Sequence, residues 1–350
     1  MEAPTDNGCV LLAYGKTKRE CQEKLTRLQN QKLDGMLGEQ TKFTVSQFLE
    51  RWLNDSAKPT IRDTTYENYE IMIRVHINPQ IGGVNLSKLT PAHVQGMYAA
   101  MERGGASGRV RELSHAVLNR ALKQAVKWGM IPRNVCQAVD RPKSTKKEIQ
   151  PLTTEQARQL LTEAETDRLH AIYVLAVTTG MRQGELLALH WKNVDLEAGT
   201  VSVRHTLRFV RGEPVLSPPK SAKGRRLIDL PALAVTALWE HKRQMLSEGF
   251  AGVPWVFCNS VGNPIHRNNL VRRSFKPILK RAGLPNIRFH DLRHTAATLL
   301  LAEGVHPKIV QERLGHAQIS ITLDTYSHVL PTMQKEAAGK LDRLLQVESA

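Results

Sequence analysis

A chain of 350 residues, 41% hydrophobic and 23% charged, has the length and balance of two ordinary globular domains, each with its own core. Its 49 Lys and Arg outnumber 33 Asp and Glu, a formal charge of +16. That excess favours a polyanionic partner, because neutralising phosphates releases condensed counterions, although a merely basic soluble protein carries such charge too. Cys9, Cys21, Cys136 and Cys258 show no CxxC or Cys/His spacing, which argues against a zinc site or a disulfide framework and fits a reducing compartment. No apolar run approaches the roughly 18 residues of a membrane span, and MEAPTDNG lacks a signal-peptide layout, so an intracellular protein without membrane contact is expected.

VLLAY (10–14) reads as the end of a strand, and Thr17 with Glu20 forms a capping-box pattern opening a helix with Cys21, Leu25 and Leu28 on one face. One strand and one helix bury little, so residues 1–41 read as the remnant of a small domain with a linker. Residues 42–139 are helical in pattern. Thr44 and Gln47 make a second capping box ahead of Val45, Phe48, Leu49, Trp52 and Leu53. A helix starting near Asp63 carries Tyr66, Tyr69, Ile73 and Ile77 and is expected to break at Pro79, Gly82 and Gly83. Thr90-Pro91 marks another start, an N-cap followed by proline at the first helical position. The longest helix, 107–128, buries Leu118, Leu122, Ala125 and Val126, with Arg109, Arg111, Arg120, Lys123 and Lys127 among them. That charged stripe suits a solvated face or a DNA-facing one.

The stretch 140–150, proline-flanked and basic, reads as an exposed linker. Thr153 and Gln156 cap the next helix, and LHAIYVLAVTTG (169–180) is apolar nearly all round, as a central buried helix requires. GTVSVRHTLRFV alternates Val201, Val203, His205, Leu207 and Phe209 and reads as one half-buried strand, with PVLS and RRLIDLP supplying two more. Helices return near 231–247, 267–282, 290–303 and 306–314, and a last one spans 332–346. The expected fold is mostly α with a small antiparallel β-sheet.

Five positions carry chemistry. Arg182, in TTGMRQGELLAL, offers a rigid guanidinium fork matched to two phosphate oxygens, and Glu185 is spaced to orient it or a neighbouring imidazole; a surface ion pair has the same spacing. His290 and Arg293, in RFHDLRHT, share one helical face, where an imidazole can take a phenolic proton and a guanidinium can brace a phosphate. A structural histidine beside a surface arginine looks the same. His316 follows the tight LG turn of ERLGHA. Tyr326, in ITLDTYSHV, is a candidate nucleophile, since a phenol of pKa about 10 attacks once a base or nearby cations favour its phenolate.

In the order Arg, Lys, HxxR, LGH, Tyr, the chain resembles the tyrosine recombinase (phage integrase) family over roughly residues 42–330. TTGMRQGELLAL, HDLRHTAATLLL and LGHAQISITLDTYSHV read like that family's three signature blocks, closest to integrases of temperate phages and integrative conjugative elements. The resemblance implies a helical core-site DNA-binding domain (42–139), a basic linker (140–150) and an α+β catalytic domain (151–331). Residues 1–41 resemble the tail of an arm-site-binding domain lacking its leading strands, and 332–350 a C-terminal helix that docks on a neighbouring subunit.

The same resemblance implies residue roles. Arg182 and Arg293 would clamp the scissile phosphate, His316 would donate a further hydrogen bond, and His290 would act as base toward Tyr326, which forms a 3′-phosphotyrosine and frees a 5′-OH. A lysine would protonate the leaving oxygen: Lys220 fits the family's setting better, and Lys223 is the alternative. Glu185 would support the cluster. No cofactor or metal is expected, since phosphoryl transfer needs mainly positioning and charge stabilisation. The expected partners are double-stranded DNA at attachment or core sites, three further copies in a homo-tetramer on two sites, and accessory DNA-bending or directionality proteins, in a cytoplasmic, nucleoid-associated setting. A type IB topoisomerase-like relaxase and a DNA-binding protein without catalysis are the competing readings.

Overall fold

The computed structural model describes residues 2–3, 11–12, 14, 17–33, 43–144, 150–210, 212–219, 222–326, 339, 341 and 345. It divides into two compact units, Met1–Lys147 and Glu148–Ala350. Among the described residues no helix is long and apolar enough to cross a membrane. Lys220, and all but three residues of the helix expected over 332–346, lie outside them.

The first unit opens with two short strands, β1 (Glu2–Ala3) and β2 (Leu11–Leu12), paired antiparallel, so Leu11 and Leu12 of the expected strand end are half of a ladder. Helix α1 (Lys18–Leu33) follows, its Glu20 N–H held by the Thr17 hydroxyl at 3.2 Å. Helices α2 (Val45–Arg51), α3 (Asp63–Ile71), α4 (Asn78–Ile81), α5 (Pro91–Arg103) and α6 (Gly108–Lys127) form the bundle. Thr44 and Thr90 cap α2 and α5 reciprocally, through Gln47 and His93. Phe48, Trp52, Ile77, Met97, Leu118 and Leu122 are fully buried between the helices, each contributing roughly 1.5–3 kcal/mol. Of the α6 cations, Arg109 pairs with Glu112, Arg111 with Glu102, and Arg120 donates to Tyr69 and Thr60, while Lys123 and Lys127 remain exposed.

Pro79 does not break its helix. The chain widens into a π-turn over Met72–Ile77 and continues through α4, with the Asn78 N–H reaching the carbonyl of Ile73. A proline ring clashes with the carbonyl four residues back and has no N–H to donate, and a wider turn relieves both demands. The same device precedes Pro59, where Lys58 reaches Leu53, and Pro277, where Lys276 reaches Val271.

The second unit is built around α8 (His170–Thr179), which lies against α7 (Thr154–Ala164) and, further along the chain, two later helices. Ala171 through Ala176 are essentially inaccessible. Helix α9 (Gln183–Leu187) leads into β3 (Val194–Asp195), β4 (Thr200–Val203), β5 (Thr206–Val210), β6 (Glu213–Ser217) and β7 (Arg226–Asp229). The single strand expected over 199–210 is two. Its ladder with β7 ends at Val203↔Arg226, because the chain just before Arg226 turns through Ala222–Gly224; beyond Arg204 the strand pairs with β6 instead. The result is a three-stranded sheet, β3-β4-β7, beside a β5-β6 hairpin, all antiparallel.

Helices α10 (Ala232–Ser247), α11 (Arg267–Asn269), α12 (Lys276–Arg281), α13 (Asp291–Ala302), α14 (Pro307–Leu314) and α15 (Ile319–Tyr326) complete the unit. Both α10 and α13 pack on α8. Sequence pattern did not reveal α15, whose Ile-Ser-Ile-Thr start has weak helix propensity; packing on α14 decides it.

Candidate active site

Four chain segments meet at the C-terminal ends of α8 and α14. Gly180 ends α8 at φ +63°, where a Cβ would lie 2.4 Å from Leu314 Cδ2, so only glycine lets α14 approach this closely. Gly315 ends α14 in the same left-handed conformation, φ +68°, with the Arg226 guanidinium and the Lys223 carbonyl each 3.0 Å from where its Cβ would sit.

Arg293, on the first turn of α13, is 3% exposed and donates through Nη1 to the Gly180 carbonyl at 2.7 Å. Arg182, two residues past Gly180, caps α9. Its Nη1 donates to Glu185 Oε1 at 2.7 Å and its Nη2 to the Gly315 carbonyl at 3.4 Å. The two guanidinium groups are thus tied to the two glycine turns that face each other across the α8–α14 contact.

Glu185 is buried between two cations. Besides Arg182, it accepts from Arg226 Nη2 at 3.0 Å. Burial alone would raise its carboxyl, but Arg226 and then Arg182 outweigh that and hold it below the usual carboxylate range. Arg226 also donates to the carbonyls of Arg313 (2.6 Å) and Gly224 (3.1 Å), joining β7, the 222–224 turn and the end of α14. Removing one partner of a buried pair strands the other charge, so Glu185→Ala is expected to cost about 3–5 kcal/mol in denaturant unfolding. A depressed carboxyl pKa stabilises above its unfolded value and loses that contribution as pH falls through the folded one. The difference between Glu185→Gln and the parent should therefore be largest near neutrality and shrink in acid.

The imidazoles sit among these cations. His290 precedes α13 as an exposed residue, its ring 5.1 Å from His294, edge to face. Desolvation of the packed side, then the positive fields of His294, Arg293 and Arg182, lower it to about 4, with Asp291 opposing. His316 is half-buried. Burial first, then Arg293, Arg182, His294 and Arg226, push it to about 3. Both are accordingly neutral near pH 7, able to accept or donate one proton. Their imidazole resonances should stay unshifted in the free protein from about pH 8 to about pH 5.5, whereas ordinary histidines titrate near 6.5. Full titration of either ring near 6.5 would contradict this environment.

Sequence-marked Arg182, Glu185, His290, Arg293 and His316 are therefore gathered. Lys223 is exposed in the 222–224 turn, its Nζ 3.1 Å from the Ala317 carbonyl, beside His316. Lys220 and the Tyr326 side chain lie outside the described residues. Tyr326 itself closes α15, which packs on α14 directly after the LGH turn. Arg226, His294 and Thr322, whose hydroxyl meets His316 Nδ1 at 2.8 Å, belong to the cluster without having been singled out by sequence. His294 had the nearest thing to a signal, adjacency to Arg293 in RFHDLRHT.

The family model described as "Phage integrase family" matches residues 150–333, and that for the phage integrase N-terminal SAM-like domain matches 44–101. The chain is 29% identical over 356 residues to a tyrosine recombinase XerC-like protein of Caldanaerobacter subterraneus subsp. tengcongensis, covering 95% of this chain and 91% of the relative. It is 30% identical over 363 residues to an integrase of Streptomyces ambofaciens, covering 95% and 89%. In fold it is similar to the Tn1549 transposon integrase in complex with transposon right end DNA (TM-score 0.71, 22% identity, 85% of this chain and 100% of that one). It is also similar to lambda integrase, solved as a tetramer bound to a Holliday junction (TM-score 0.62, 20% identity, 90% and 91%). The chain belongs to the phage integrase family. It is an enzyme, a site-specific recombinase of the tyrosine type.

Proposed function

We propose that this recombinase integrates or excises a mobile element by cutting and rejoining DNA at the cluster beside the Gly180 and Gly315 turns. The gathering of Arg182, Arg293, His290 and His316 beside those two turns carries the reading. Arg182 and Arg293 hold the non-bridging oxygens of the scissile phosphate, and His316 donates to one of them. Neutral His290 takes the phenolic proton of Tyr326 as its oxygen attacks phosphorus. The P–O5′ bond breaks, a lysine protonates the leaving 5′-oxygen, and a 3′-phosphotyrosyl diester remains. Attack by a 5′-OH from the partner strand reverses the chemistry, so one phosphodiester replaces another.

The lysine is Lys220 or Lys223; the tether of Lys223 to Ala317 keeps an ammonium beside His316 and supports it as a candidate. In this reading residues 42–139 bind the core site, 140–150 track the backbone between the domains, 151–331 cleave, and 1–41 derive from an arm-binding domain. Residues 332–350 dock on a neighbouring subunit of a tetramer on two sites; Leu341 and Leu345, two of their apolar positions, are exposed. Accessory bending or directionality proteins act at the same DNA, in the cytoplasm at the nucleoid.

The test uses supercoiled plasmids carrying two copies of the element's attachment sequence. Exchange between the sites, with an SDS-stable protein–DNA adduct, is the expected result. Relaxation without exchange would support a type IB topoisomerase-like enzyme, and binding with neither would support a DNA-binding protein without catalysis.

A further inference from the structure

One hydrogen bond joins His316 to the helix that bears the nucleophile. Nδ1 of His316 lies 2.8 Å from Oγ1 of Thr322, and Thr322 is completely buried. Thr322 stands on α15 four residues before Tyr326, a little more than one helical turn. The backbone fixes the other side: His316 N–H donates to the Gln311 carbonyl at 3.1 Å, and Gln311 Nε2 donates to the His316 carbonyl at 3.1 Å. The ring is therefore held from its main chain and from Nδ1, which leaves Nε2 as the nitrogen for a ligand.

A neutral imidazole has one N–H and one lone pair, and the partner of one nitrogen dictates what the other presents. A carbonyl or carboxylate at Nδ1 would hold the proton there and leave Nε2 a lone pair, which repels a phosphate oxygen. A hydroxyl can donate into Nδ1, and the proton then resides on Nε2. Among the neighbouring cations His316 stays uncharged in the free protein, so the choice of tautomer decides whether it can serve phosphate at all.

We propose that Thr322 is a positioning residue: its hydroxyl donates to Nδ1 of His316, fixes the Nε2–H tautomer that hydrogen-bonds the scissile phosphate, and through that same contact ties the nucleophile's helix to the LGH turn. This rests on the reading of His316 as a phosphate donor. It adds a coupling between the nucleophile helix and the phosphate pocket, made by a side chain outside the Arg, His and Tyr set.

The experiment uses the full-length chain and a nicked suicide duplex of the attachment site, measuring single-turnover adduct formation, with nitrogen-15 spectra of histidine-labelled protein alongside. The parent spectrum should show His316 protonated at Nε2 and unprotonated at Nδ1, a readout that needs no variant to fold. Thr322→Val, which keeps shape and loses the hydroxyl, should slow adduct formation by about 10–100-fold, the range for losing the partner that orients a functional imidazole. Thr322→Ser should restore the rate to within about threefold, and Thr322→Val should add less than about twofold in a His316→Ala background. Parental rates in Thr322→Val, losses that multiply with His316→Ala, or a proton on Nδ1 would overturn the proposal while leaving the phosphate reading of His316 standing. Parental rates in His316→Ala would overturn both.

Discussion

Tyr326→Phe is expected to eliminate the covalent protein–DNA adduct while leaving affinity for site DNA essentially unchanged. The substitution removes one oxygen, and with it the protein group that bonds to phosphorus. Affinity is carried elsewhere, by phosphate contacts from a chain of formal charge +16, so it should follow salt concentration in parent and variant alike. Gel-shift titration and SDS-resistant adduct assays on the same nicked duplex separate the two quantities. Adduct surviving in the Phe variant would mean that a different side chain attacks, and the role given to α15 would be lost.

Arg293→Lys is expected to reduce single-turnover cleavage by about 10²–10³-fold, the cost of losing one preorganised donor to a developing oxyanion. Arg293 spends one nitrogen on the Gly180 carbonyl and is 3% exposed, so its fork is aimed before DNA arrives. An ammonium keeps the charge and cannot hold that carbonyl and a phosphate oxygen with one fixed plane. Some stability is lost too: leaving the Gly180 carbonyl unsatisfied costs about 1–3 kcal/mol. A domain with roughly 5–15 kcal/mol in reserve stays folded after such a loss, so unfolding cannot account for a hundredfold kinetic effect. Denaturant titration beside the cleavage assay makes that distinction. Arg182, whose side chain is 40% exposed, should show a comparable kinetic loss on replacement by lysine with a smaller loss of stability.

What the sequence made legible is chemistry borne by local spacing. Arg182 with Glu185, His290 with Arg293, and the LGH turn are short patterns, and their order along the chain carried the family resemblance. Capping boxes at Thr44 and Thr153 set helix starts for the same reason, since a cap is a contact over three residues. Long-range partners left no such trace. Arg226 meets Glu185 across 41 residues and reads in RRLIDLP as one more strand cation. Thr322 lies in a β-branched run that resembles a strand more than a helix, and its contact with His316 exists only once α15 packs on α14. The division of β4 from β5 follows from where the 222–224 turn releases its partner strand, which alternation within 199–210 cannot encode. Pro79 was read as a break because a π-turn has no composition of its own.

The most direct measurement is an experimental structure of the Tyr326→Phe protein on an uncleaved attachment-site duplex. One backbone phosphate is expected beside the Gly180 and Gly315 turns, with Arg182, Arg293 and His316 each about 3 Å from its non-bridging oxygens and the ring at position 326 facing the phosphorus. A scissile phosphate bound elsewhere on the catalytic unit, or either guanidinium turned away from it, would contradict this.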